Sequence, residues 1–142
     1  VWVKMVATGT LKGLIGTLNY GCGYNLGLTA NGSSLNFYND TNACVATSLG
    51  GWVETGKWLY CVGTYDGTTT KVYGYKDGVL STNSMTTKSG AANTFSTTFR
   101  VFGDHHSIRT NCYGAVAFAY NRTLTDSEIH QNYNATKSRF GL

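Results

Sequence analysis

The last fifth of the chain, Asn121 to Leu142, carries a helix start that the rest of the sequence lacks. Thr125-Asp126-Ser127-Glu128 has capping-box spacing. The Thr125 hydroxyl can accept from the Glu128 amide while the Glu128 side chain reaches back to the Thr125 amide. Leu124 before the cap and Ile129 just inside it have the placing of a hydrophobic staple. One short helix is expected over about Asp126 to Thr136, with Thr125 and Glu128 as its cap. Everything ahead of it reads as strands, so the expected architecture is an all-β body with a single C-terminal helix.

The strands follow from alternation and turn residues. Charged residues are 13 % of the chain, about half the usual ~25 %. Gly (18) and Tyr (10), with Thr and Asn, take their place, and there is no Pro. Turns must therefore be made by Gly, Asn, Asp or Ser. Val1 to Ala7 alternates, with Val1, Val3 and Met5 on one side. Leu14 to Leu18 is a second strand. Tyr24 to Thr29 and Leu35 to Tyr38 flank Asn31-Gly32, a type I′ hairpin signal that sets Leu28 opposite Leu35 and Leu26 opposite Phe37. Thr41 to Gly56 reads as a long loop with a short strand near Ala43 to Thr47.

Lys57 to Tyr65 is the strongest strand. Trp58, Tyr60, Val62 and Thr64 share one face, and Leu59, Cys61, Gly63 and Tyr65 the other. Both faces are largely apolar, as in a central strand covered on two sides. Asp66-Gly67 turns into Thr70 to Lys76, and Asp77-Gly78 turns into Val79-Leu80. Phe99 to Gly103 is short. Cys112 to Tyr120 is another apolar run, expected to share the centre with Lys57 to Tyr65. Nine or ten short strands with Gly, Asn and Asp turns predict a two-sheet antiparallel sandwich or jelly roll, without internal repeat or linker.

Charge narrows the function. The formal net charge is +4, but the basic residues are scattered rather than clustered, which argues against nucleic acid. No apolar run is long enough for a transmembrane helix. The opening Val1-Trp2-Val3-Lys4-Met5 already reads as a strand, which suggests a processed product or the ordered part of something longer. The cysteines, Cys22, Cys44, Cys61 and Cys112, form no C-x-x-C pair, so a zinc knuckle is not expected. Their pairing is left open by the spacing. Cys61 reads as a buried reduced thiol. Cys22 and Cys44 flank the Asn31-Gly32 hairpin and could be bridged.

Several phrases resemble the laminin-G-like, concanavalin A-like jelly-roll superfamily. They are Thr55-Gly56-Lys57-Trp58 with Val62 to Gly67, Val72 to Val79, Phe99 to Gly103, and Tyr113 to Thr125 followed by Glu128-Ile129. They cover roughly residues 55 to 142, and Val1-Trp2-Val3-Lys4 is similar to an early strand of that family. The resemblance implies one domain over 1–142, with the family's usual leading strand missing or truncated. The ending Asn132 to Leu142 looks like the C-termini of lectin-like domains in tailed-phage structural proteins. It implies a virion protein, a capsid decoration or tail appendage on the outer surface. Such a protein packs against other virion subunits, commonly as a homo-oligomer, and can attach to host glycans. The alternatives are a free carbohydrate-binding module or lectin, secreted or at a cell surface, and a polysaccharide hydrolase.

Sandwich-fold glycosidases use two carboxylates about 5 Å apart for retention and further for inversion. The sequence has two glutamates, Glu54, which stands alone, and Glu128 at the cap. No strand carries acids at i and i+2, so no enzymatic activity is expected. Asp104-His105-His106 is the densest polar cluster, and Asp104 with His105 is the candidate metal pair. The resemblance also brings in calcium. Calcium wants about six to eight oxygens, whereas Asp40, Asp66, Asp77 and Asp104 supply one acid per loop. For sugar binding, a platform aromatic and nearby amides or carboxylates are needed. Trp52 with Asn39, Asp40 and Asn42 is the candidate set, although Trp52 also fits a residue packed under its own loop. Trp2 and Trp58 read as core, and His130 as solvent-facing on the helix.

Overall fold

The computed structural model describes residues 1–7, 12–17, 23–28, 33–40, 44–86, 99–102 and 111–142. Ten strands lie among them: β1 (Trp2–Met5), β2 (Lys12–Thr17), β3 (Gly23–Leu28), β4 (Leu35–Asp40), β5 (Cys44–Leu49), β6 (Trp58–Tyr65), β7 (Thr69–Lys76), β8 (Val79–Thr86), β9 (Phe99–Val101) and β10 (Cys112–Gly114). Helix α1 (Asp126–Lys137) follows. One sheet has the order β10-β1-β6-β7-β8 and the other β5-β4-β3-β2-β9. Every strand pairing is antiparallel. The expected sandwich with one terminal helix is what forms.

Alternation along β1 and β6 builds two cores. Val1, Val3 and Met5 pack between the sheets with Leu59, Cys61 and Val72 on one side and Leu14, Leu26, Leu35 and Phe37 on the other. Trp2, Tyr60, Tyr73 and Tyr75 point the opposite way and are covered by Leu124, Ile129 and Tyr133 at the helix. The sheet containing β6 is therefore buried on both faces, as its apolar sequence requires. The helix layer is aromatic: Tyr75 and Tyr133 stack at 4.0 Å between centroids, and Trp2 and Phe140 at 4.3 Å. Two of its polar tips find partners at the edge. The Tyr73 hydroxyl donates to Asp126 Oδ1 at 2.7 Å, and Tyr75 Oη lies 3.0 Å from His130 Nδ1. His130 is exposed but linked to the sheet by that contact.

Two hairpins show how turns set register. β3 and β4 pair Leu28 with Leu35 and Leu26 with Phe37; Asn31-Gly32 lies outside the described residues. Between β7 and β8, Asp77 (φ 51°) and Gly78 (φ 81°) are both left-handed, the type I′ geometry, and Lys76 faces Val79.

Two expectations are corrected. The strand expected near Ala43 to Thr47 is a full member of its sheet, Cys44–Leu49, paired with β4 along its whole length. Cys112 to Tyr120 does not lie at the centre. Only Cys112–Gly114 is a strand, at the outer edge beside β1. Of the bulky residues that follow, Val116 packs into the helix-side core, while Phe118 and Tyr120 remain 45 % and 49 % exposed. Small alanines at 115, 117 and 119 give the run too little bulk to fill two faces. Cys61 is buried and unbridged, and burial pushes its thiol up to about 12. Cys22 and the Cys44 side chain lie outside the described residues, and with them the expected bridge.

Candidate functional site

A groove opens where β1 stops covering the edge of β6. Val1 and Cys61 form the last pair: the Val1 nitrogen donates to the Cys61 carbonyl at 2.8 Å and the Cys61 amide to the Val1 carbonyl at 2.9 Å. Past Cys61, over Val62 to Tyr65, no strand among the described residues pairs with this edge. The segment from Ala115 to Leu124 passes beyond it. One end is held against β1, where Trp2 donates to the Val116 carbonyl (2.9 Å) and Ala115 to the Trp2 carbonyl (3.2 Å). The other end is pinned to β6, where the Thr123 hydroxyl donates to the Tyr65 carbonyl at 2.5 Å. Between them lies a cavity of about 500 Å³.

The base and rim of this cavity differ. Val1, Leu26, Phe37 and Cys61 form a buried apolar base. Gly63 must be glycine, because a Cβ there would enter the Phe37 ring. Tyr24, Phe99, Phe118 and Tyr120 stand exposed around the rim. Tyr24 stacks on Phe37 with the planes 3° apart, and burial raises its phenol. Asn121, Thr123 and Asp66 add an amide, a hydroxyl and a carboxylate. Asp66 Oδ1 accepts from the Thr69 amide (2.7 Å), the Thr68 amide (2.9 Å) and the Thr68 hydroxyl (2.9 Å). These bonds hold its carboxyl below the ordinary range, so it is ionised at neutral pH.

The helix cap anchors the rim. Thr125 Oγ1 accepts from the Glu128 amide and Glu128 Oε2 accepts from the Thr125 amide, completing both halves of the box. Arg122 grips the same carboxylate with two parallel bonds, at 2.9 and 2.7 Å. The Arg122 guanidinium, helped by Thr125, holds Glu128 down at about 2. Leu124 is buried under the helix, so the chain just after Arg122 is fastened.

Trp52, the candidate platform, is not presented to solvent. Trp52 is 7 % exposed and belongs to the core between the sheets. The Gly50-Gly51 turn, with Gly51 at φ 64°, folds it back onto the sheet. Gly74 leaves room for its ring, since a Cβ there would enter the indole. Its carbonyl accepts from Lys76 Nζ at 3.0 Å. Asn39 and Asp40 lie in β4 opposite Tyr24 and Gly23; their side chains, and the whole of Asn42, Asp104 and His105, lie outside the described residues. Glu54 does not stand alone: it pairs with Lys57 at 3.0 Å and Lys76 at 3.5 Å. Asp77 is also held by Lys57, at 2.6 Å. Among the described residues no group of three His, Cys, Asp or Glu could hold a metal ion.

Sequence reasoning missed Phe118 and Tyr120 by reading them as core. The available signal was the alternation of alanines at 115, 117 and 119, which marks a segment with one thin face.

A family model described as the concanavalin A-like lectin/glucanases superfamily matches residues 1–130. No curated protein and no solved structure matches the chain.

Proposed function

The chain belongs to the concanavalin A-like lectin/glucanases superfamily, and from that premise we propose that it is a non-enzymatic recognition domain that binds glycans across the rim of the groove. The observation that carries this reading is the set of exposed aromatics, Tyr24, Phe118 and Tyr120, standing beside Asp66, Asn121 and Thr123. Aromatic faces take the apolar side of a sugar ring, and amide, hydroxyl and carboxylate groups take its hydroxyls. Binding is favoured over hydrolysis because Asp66 is the one carboxylate among the described residues of the lining. Hydrolysis on such a fold would ask for a pair.

The setting we propose is the outer surface of a virion, packed against other virion subunits as a homo-oligomer. The wording of Asn132 to Leu142, which resembles lectin-like domains of tailed-phage structural proteins, supports it. A glycan array with the chain and with Phe118→Ala and Tyr120→Ala tests the binding. Binding that both variants lose is the expected result, and an array without any bound glycan would remove the reading. Repeating the array in a chelator separates calcium-dependent from calcium-free binding. Detection of the chain in purified particles tests the setting.

A further inference from the structure

We infer that β8 is a self-pairing edge: a second copy of this chain lays its own β8 antiparallel to it, across a two-fold axis at Thr82, and the two five-stranded sheets become continuous. Backbone polarity places the free groups. The Asp66 amide donates to the Thr69 carbonyl at 3.3 Å, and facing residues two steps further on repeat that exchange. Thr64 with Lys71, Val62 with Tyr73 and Tyr60 with Tyr75 are therefore the bonded pairs of β6 and β7. Thr70, Val72, Gly74 and Lys76 turn the other way and bond Met85, Asn83, Ser81 and Val79. Leu80, Thr82 and Ser84 are left with N–H and C=O pointing away from β7. Among the described residues no strand pairs with that edge.

β8 lacks most of the features that keep an edge from pairing. It is eight residues long, against three in β9 and β10 and six in β5, the other edge strands. Val79 to Thr86 contains no charge and no Pro, and its register with β7 runs without a bulge. Short length, charge, Pro and bulges are the usual protections. One protection is present: Asn83 Oδ1 accepts from the Ser84 amide at 2.9 Å, while Asn83 Nδ2 donates to the Ser48 carbonyl at 2.9 Å. The occupant follows from the apolar residues. Val79, Leu80 and Met85 are 66 %, 45 % and 44 % exposed. With Thr82 opposite the partner's Thr82, Val79 faces the partner's Met85 and Met85 the partner's Val79. Both contacts fall at the closely spaced positions between bonded pairs. A slide of two residues in either direction separates them. An uncharged edge also meets its own copy without repulsion, whereas it offers an unrelated peptide no charge to select.

The contact gives the homo-oligomer proposed above a surface and rests on that part of the reading alone, since the groove opens on the other side of β6 from β7 and β8. A strand pair of this length falls at the low end of interface sizes, so a dimer with a Kd between about 1 μM and 1 mM is expected. Sedimentation velocity across that range should show monomer passing to dimer. The Leu80 and Thr82 amides should exchange more slowly as concentration rises, by about tenfold or more, while those of Ser81 and Asn83 stay constant. Thr82→Lys sets like charges opposite each other and should remain monomeric with the Tm of the wild-type monomer. Asn83→Ala uncovers the Ser84 amide and should dimerise at lower concentration. A chain that stays monomeric at the top of the range would overturn the inference. So would a dimer that Thr82→Lys leaves intact, or one in which the Leu80 and Thr82 amides gain no protection. The glycan array is run on monomeric Thr82→Lys as well, so that glycan binding and dimerisation fail or hold separately.

Discussion

The indole Nε1 of Trp2, in the first strand, donates to the Thr136 hydroxyl near the end of α1 at 2.8 Å. The same hydroxyl donates to the Asn132 carbonyl at 2.7 Å. One small side chain therefore links helix and sheet. Thr136→Val keeps the shape but leaves the buried indole N–H without an acceptor, at a cost of about 1–3 kcal/mol. Thr136→Ser should retain most of the stability. Denaturant titration of the two variants checks the difference.

The cap predicts a pH response. Glu128, held at about 2 by Arg122 and Thr125, is depressed from its ordinary 4.5. Its contribution is present above the unfolded-state value and is lost as pH falls through the folded one. Wild type and Glu128→Gln should differ in Tm at pH 7. The gap should narrow below about pH 4.5 and close near pH 2. A gap that persists unchanged in acid would show that Glu128 acts through shape alone.

Gly74 meets the Trp52 ring so closely that Gly74→Ala must displace it. Overpacking of this kind costs about 1–3 kcal/mol. Tryptophan emission should shift to the red as the indole is forced from the core. An unshifted spectrum with undiminished stability would contradict the packing between β7 and the turn after β5.

Cys61 is inert in the folded protein. Its thiol is buried and raised to about 12, and the thiolate is the reactive form. Iodoacetamide at pH 8 should label Cys61 only after denaturation, as read by mass spectrometry of the peptide that contains it.

Much of the fold was legible in the sequence because its strongest signals are local. Capping spacing located the start of the helix at Asp126, with the expected end at Thr136 one residue short of Lys137, and Asp77-Gly78 located a hairpin through the φ it requires. The two faces of Trp58 to Tyr65 were readable because both are apolar and alternate cleanly. Cys112 to Tyr120 misled because apolarity does not distinguish a central strand from an edge segment whose rings lie over a cavity. Trp52 was half legible: packing under its own loop fits its place in the sequence, but Gly74, the partner that admits its ring, is distant in the chain. The groove itself could not be read, since its lining comes from residues as far apart in the chain as Ile15, Phe37, Cys61 and Tyr120.

β1 has a property that its shortness conceals. Val1 and Val3 serve one core, and Trp2 between them serves the other. A slip of one residue against β6 would exchange these roles. The indole would be driven between sheets that accommodate valine, and a valine would face the vacancy left beside Phe140 and Thr136. A slip of one residue is thus penalised on both faces at once, which excludes the nearest alternative alignments of a four-residue strand.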